Sequence, residues 1–147
     1  MGSLFEIESS RHASCPPDVV HRLLVHPSSW PRWQPEIRST DHDGSMASGD
    51  VARGEAEMLG FEVHGHSTAT DVGPGFFEED VVVGVRMRIR YDLAPTADGV
   101  VITHRLTAQL PGGPSGRVLS FFLRRRLRRL QRIALDRLAA HSEADWS

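Results

Sequence analysis

Three residues in this 147-residue chain are placed for chemistry: a histidine, a tyrosine and a glutamate, each set among apolar neighbours at strand spacing. His104 lies in VVITHRLTAQL, where alternation puts Val100, Ile102, His104, Leu106, Ala108 and Leu110 on one face. Imidazole titrates near neutral pH. An inward His104 is therefore either a hydrogen-bonded core residue or a polar anchor and proton donor in a cavity. Tyr91, the only tyrosine, stands between Ile89 and Leu93 on the covered side of VRMRIRYDL. A buried phenol needs a hydrogen-bond partner, from the protein or from a ligand. In FFEEDVVV, Glu79 shares a face with Phe77, Val81 and Val83. Turned inward, its carboxylate is costly unless paired.

Other constellations offer less. His64 and His66 in VHGH are two apart, a spacing that suits a pair of metal ligands on a strand. With Phe61, Val63 and Gly65 inward, both histidines face solvent, and no metal site is expected. No Ser-His-Asp arrangement, phosphate loop or dinucleotide fingerprint is present, and no cofactor is expected. GPG at 73–75 and PGGPSG at 111–116 read as turns. Two of the three tryptophans, Trp30 and Trp33, sit in HPSSWPRWQPEI, broken by Pro27, Pro31 and Pro35. They either cap one end of a core or form the wall or lid of a ligand cavity.

The elements that must position these residues follow from periodicity. Residues 5–14 alternate as a first strand. SCPPDVVHRLLVH reads as a short helix capped by Ser14 or Cys15, with prolines in its first turn and Asp18 facing the helix dipole. PSSWPRWQ is at most another helical turn, capped by Ser28 or Ser29. Strands are expected in IRSTDHDG, DVARGEAEML, FEVHGHSTATDV, FFEEDVVV, VRMRIRYDLAP and VVITHRLTAQL. TADG at 96–99 is a hairpin turn in which Asp-Gly supplies positive φ. Inside VRMRIRYDL the period is two: Val85, Met87, Ile89, Tyr91 and Leu93 on the covered face, arginines and Asp92 on the wet one.

A helix of about 25 residues follows in SGRVLSFFLRRRLRRLQRIALDRLAAH. Leu119, Phe122, Leu123, Leu127, Leu130, Ile133, Ala134 and Leu138 form its apolar face. Arg126 falls inside that arc. It either snorkels or brings its guanidinium into the cavity against Glu79, Tyr91 or a ligand oxygen. SEADWS is expected to fray. The fold class is α+β: one strand, two short helices, about six further antiparallel strands, and a long helix covering the sheet's dry face.

Charge is divided along the chain. Residues 1–114 carry nine arginines against sixteen acids; residues 115–147 carry eight against three. All 17 basic residues are arginine. The lone Cys15 forms no internal disulfide, and no signal peptide or transmembrane run is found. One domain over 1–147, in the cytoplasm, without stable membrane insertion, as monomer or homodimer, is expected.

This order of elements resembles the START-like superfamily, also called Bet v 1-like or SRPBCC, and within it the bacterial polyketide cyclase/dehydrase branch. ASCPPDVVHRLLVHPSSWPRWQPEI is similar to that branch's opening helix and Trp-Pro loop. YDLAPTADGVVITHRL is similar to its strand–turn–strand before the last helix. The resemblance spans roughly 5 to 141. It implies a helix-grip fold: a curved antiparallel sheet of about seven strands around the long helix, enclosing an elongated apolar cavity. The residues expected to contact a ligand there are Trp30, Trp33, Met87, Ile89, Tyr91, His104, Phe122, Arg126 and Leu130.

Three functions compete. The first is binding of a hydrophobic or aromatic small molecule, lipid-like or polyketide-like. The second is an aromatase/cyclase-type enzyme that bends a poly-β-ketone and assists its closure. Enzymes of that type use a cavity arginine from the middle strands, and FEVHGHSTATDV has none. The third is binding of a partner or an anionic surface through the arginine-rich helix. RRRLRR also reads as the wet face of an amphipathic helix, and nucleic acid is not an expected partner.

Overall fold

The computed structural model describes residues 3–58 and 60–147. Strand β1 (Ser3–Ala13) leads into α1 (Pro17–Val25), a 3-10 turn (Pro27–Ser29) and α2 (Trp30–Trp33). Strands β2 (Ile37–Thr40), β3 (Val51–Met58), β4 (Phe61–Gly73), β5 (Phe76–Val82), β6 (Arg86–Thr96) and β7 (Gly99–Leu110) follow, then α3 (Gly113–Trp146). Residue 59, the last of the strand expected at 50–59, lies outside the described residues.

All seven strands pair antiparallel in the order β1-β7-β6-β5-β4-β3-β2. The register is set by alternation: Met87, Ile89, Tyr91 and Leu93 are buried, while Arg86, Arg88 and Asp92 are exposed. On β7, Val100, Ile102, His104, Leu106, Ala108 and Leu110 are all buried. Bulges between Ile37 and Ser39 and between Ala69 and Asp71 shift the register, the device by which a strand bends. The dry face carries α3, which also packs on α1 and α2.

Several local expectations need correction. No side chain caps α1; its Ncap residue is Pro16. The Glu143 carboxylate, from the far end of the chain, instead accepts the Ser14 N–H at 2.8 Å. Ser29 does precede α2 but caps nothing, because its hydroxyl donates to the Leu23 and His26 carbonyls. β2 stops at Thr40, short of Asp43-Gly44. The tail is not frayed: α3 runs 34 residues, about 51 Å, to Trp146. Ser142 is fully buried there, and Arg32 bonds Asp145.

The buried face of α3 is turned roughly a quarter-turn from the one expected. Leu119 and Phe122 are exposed, and Ser120, Gln131 and Leu135 lie inside. Two of these polar residues are tolerated because each has a partner: the Ser120 hydroxyl donates to Pro111 O, and Gln131 bonds the sheet.

Gly99 ends the β6–β7 hairpin, but not through positive φ, which occurs at Gly44, Gly49, Gly60, Gly84 and Gly113. A Cβ on Gly99 would run into the Ala13 carbonyl where β1 closes against β7. Gly99→Ala is expected to cost about 1–3 kcal/mol, as overpacking against backbone does. Gly75→Ala, whose Cβ would meet Leu93 O at an ordinary 3.8 Å, should cost little. Urea unfolding midpoints of the two variants test this; equal midpoints would refute it.

Candidate functional site

Between sheet and α3 lies a cavity of about 90 Å³. Its apolar wall includes Trp30, Ala56, Met58, Met87, Ile89, Leu106, Leu127 and Leu130. Polar groups reach it from six parts of the fold: Gln34 and Glu36 after α2, Ser67 on β4, Glu79 on β5, Tyr91 on β6, His104 on β7 and Gln131 on α3. At the β2–β4 end it meets an open cleft through Ser39, Thr40, Arg53, Gly54, Gly65 and His66. Gly54 and Gly65 face each other across β3 and β4, so the cavity wall has no side chain there.

Gln131 organises the deep end. Its amide Nε2 donates to His104 Nδ1 at 2.8 Å and lies 3.1 Å from His104 O. With Nδ1 accepting, the neutral ring carries its proton on Nε2. The His104 ring stands edge-on to Tyr91, centroids 4.8 Å apart. Among the described residues neither His104 Nε2 nor the Tyr91 hydroxyl has a hydrogen-bond partner, and neither atom is sealed from the cavity. Both are free to meet a guest.

Burial decides the protonation states. It lowers His104 to about 4, keeping the ring neutral. It raises Glu79 to about 8; the Ser67 hydroxyl, donating at 3.1 Å, opposes this, and the nearby Glu36 carboxylate adds to it. Tyr91 is pushed well up, first by burial and then by Glu79 and Glu36. Glu36 is itself raised by burial, against a hydrogen bond from its own backbone and the fields of Arg126 and Arg137. At neutral pH Glu79, Tyr91 and His104 thus offer a carboxylic acid, a phenol and an imidazole N–H, all uncharged and able to donate.

Of the residues expected at the site, Trp30, Met87, Ile89, Tyr91, His104 and Leu130 line this cavity. Trp33 does not: it is buried behind Tyr91, ring centroids 6.0 Å apart. Neither tryptophan borders an entrance with its polar edge in water. Trp30 Nε1 donates to Leu24 O and Trp33 Nε1 to the Ser29 hydroxyl. Phe122 is 53 % exposed on the outer side of α3, because the helix is rotated. Arg126 lies beside it, half-buried, its Nε without a partner, and it makes no hydrogen bond to Glu79 or Tyr91. Its influence on the cavity is the field it exerts on Glu36.

Glu79 does face inward, and its partner is Ser67. His64 and His66 lie on the outer face of β4. Gln34, Glu36, Ser67 and Gln131 are additions that the sequence reading does not contain. Gln131 carried a signal, as a polar residue four after Leu127 on the buried stripe; Glu36, in an aperiodic loop, carried none.

Residues 5–143 match the family model described as polyketide cyclase/dehydrase and lipid transport. The chain belongs to this family. No curated protein matches the sequence. Among solved structures, the family's fold recurs in the ZhuI aromatase/cyclase from Streptomyces sp. R1128. That match has a TM-score of 0.82 at 13 % identity, over 96 % of this chain and 94 % of that one. The protein TTHA0849 from Thermus thermophilus gives a TM-score of 0.79 at 18 % identity, over 97 % of this chain and 100 % of that one. Ara h 8.0201 shares the fold with a TM-score of 0.71 at 12 % identity, over 97 % of this chain and 99 % of that one. At these identities the likeness concerns the fold. For this cyclase/dehydrase family member, the helix-grip architecture is established.

The protonation states make stability pH-dependent. Unfolded, Glu79 loses its proton near 4.5; folded, near 8. The stability it contributes is whole below 4.5 and is lost as pH rises through 8. His104 acts on the other side: its contribution is whole above 6.5 and is lost as pH falls towards 4. Urea midpoints of the wild type should therefore fall between pH 6.5 and 8, and Glu79→Gln should lessen that fall. A variant that declines as steeply as the wild type would contradict the assignment.

Proposed function

We propose that the cavity binds an apolar, aromatic small molecule that carries an oxygen, with Tyr91 and His104 as its polar anchors. One observation carries this reading: two free donors, the Tyr91 hydroxyl and His104 Nε2, stand together in an otherwise apolar wall. Unpaired donors of this kind favour a ligand oxygen over a hydrocarbon, because an apolar guest leaves them desolvated and unbonded. Trp30, Met87, Ile89 and Leu130 supply apolar contact. The volume, about 90 Å³, is small beside ligand pockets of roughly 300–1,000 Å³. A multi-ring guest requires the walls to part. Met58 and Met87, unbranched and adaptable, are where they give most easily.

A second reading, cyclisation of a poly-β-ketone, is favoured by Glu79. A carboxylic acid that keeps its proton at neutral pH, in the same cavity as a neutral imidazole, suits the proton transfers of enolisation and loss of water. The aromatase/cyclase neighbour supports it at the level of fold. On this reading Glu79→Gln abolishes turnover of a nascent polyketide while leaving apolar binding intact.

The binding proposal is tested with 1-naphthol and naphthalene, read by the emission of the cavity tryptophan, Trp30. Tyr91→Phe removes a hydroxyl that bonds nothing among the described residues, so folding should be spared. It should weaken 1-naphthol by about 1–2 kcal/mol and leave naphthalene unchanged. Equal affinity of the wild type for both probes, unmoved by Tyr91→Phe, would sink the proposal. Native mass spectrometry of freshly purified protein would identify a ligand carried from the cell.

A further inference from the structure

On the sheet, four arginines are matched by acids of the sheet, Arg88 with Asp80, Arg90 with Glu78, Arg105 with Glu8 and Arg38 with Glu57, whereas Arg53 and Arg86 have no ion pair among the described residues. The long helix is built otherwise. From residue 113 to residue 135 it carries seven arginines and no acid. Arg117, Arg124, Arg125, Arg128, Arg129 and Arg132 are exposed, and none meets a carboxylate among the described residues. Beside them stand four exposed apolar side chains: Val118 at 61 %, Leu119 at 43 %, Phe121 at 55 % and Phe122 at 53 %. At roughly 100° per residue, Val118, Phe122, Arg125, Arg129 and Arg132 form one outward stripe, with Phe121 at its edge.

Folding draws on part of this arrangement: the guanidinium groups of Arg124 and Arg128 lie over the Phe5 ring and that of Arg125 over Phe121, which leaves Arg117, Arg129 and Arg132 without such a contact. Arg117 sits in the first turns, where the helix dipole disfavours a cation. Arg124–Arg128, Arg125–Arg129 and Arg128–Arg132 are like charges at i,i+4, which repel. Two phenylalanines left in water forgo their burial. The pattern does suit a second surface that is negative and apolar at once. We infer that this outward face of α3 docks on an anionic lipid surface. Val118, Phe121 and Phe122 enter the headgroup region, and Arg125, Arg129 and Arg132 lie against the lipid phosphates.

Charge complementarity selects this occupant. A second copy of the chain would oppose arginine to arginine. A nucleic acid would neutralise the arginines but leave Val118, Phe121 and Phe122 without cover. A membrane interface accommodates both. The contact is peripheral, since no described helix is long and apolar enough to span a bilayer. The docking face lies outside the ligand cavity, so this inference stands apart from the ligand proposal.

The test is co-sedimentation of the full chain with phosphatidylcholine vesicles, with and without phosphatidylglycerol. Wild type should pellet with the anionic vesicles only, and be released at about 1 M salt, where screening reaches ~3 Å. Arg125→Gln with Arg129→Gln should lower partitioning about thirtyfold, the product of two surface cations. Phe121→Ser with Phe122→Ser should lower it about tenfold or more. These positions are exposed, so unfolding midpoints should hold. Arg88→Gln with Arg105→Gln, on the paired outer face of the sheet, should change nothing. Three results would overturn the inference: equal binding to neutral vesicles, binding unmoved by either helix variant, or displacement of the vesicles by duplex DNA. So would a dimer that the Phe121/Phe122 variant dissolves.

Discussion

A buried side-chain amide ties the two layers of this protein together at the cavity. Gln131 reaches from α3 to His104 on β7, and lies 3.4 Å from Ile7 O on β1. A buried amide cannot be left unbonded cheaply, so the helix has one favoured rotation and one favoured height over the sheet. The same bond sets the tautomer of His104. That ring abuts Tyr91, Tyr91 abuts Trp33 and Phe77, and Phe77 abuts Trp30. The orientation of a helix is thereby transmitted through aromatic edges to the Trp-Pro segment on the other side of the cavity.

The cavity's electrostatic character follows from burial more than from pairing. Glu36 and Glu79 share one dry space, with the Arg126 guanidinium near enough to influence Glu36 but not to bond Glu79. Two carboxylates in such a space do not both ionise at low cost. Donors that are themselves uncharged, as at Glu79, Tyr91 and His104, discriminate by hydrogen-bond geometry rather than by charge. The outer face of α3 has the opposite character: exposed, cationic and screened by salt.

How far the sequence was legible varies with the kind of order involved. β6 and β7 could be read residue by residue, because alternation across a half-buried sheet is strict: Met87, Ile89, Tyr91 and His104 lie inward as their spacing requires. α3 was legible as a helix but not in its rotation. Leu119 and Phe122 counted as core by type, whereas Gln131 enters the core by virtue of a partner 27 residues away. Caps failed for the same reason, since the carboxylate that serves the start of α1 comes from Glu143. Glu36 owes its place to a loop without period. Local pattern carries local order; the site is assembled mostly from contacts distant in the chain.

That distance has a further consequence. β1 pairs only with β7: Ser10 and Thr103, whose hydroxyls bond, are 93 residues apart, and Ser14 and Glu143 are 129 apart. During synthesis on a ribosome, the first strand emerges with no partner and waits until nearly the whole sheet has been made. The helix that covers the dry face arrives later still. The nascent chain therefore spends most of its translation with an open strand edge and an uncovered apolar surface, the condition that invites chaperones or misassociation. Completion of the fold awaits the C-terminal helix, which covers the dry face, closes the cavity and brings the Glu143 carboxylate to the Ser14 N–H.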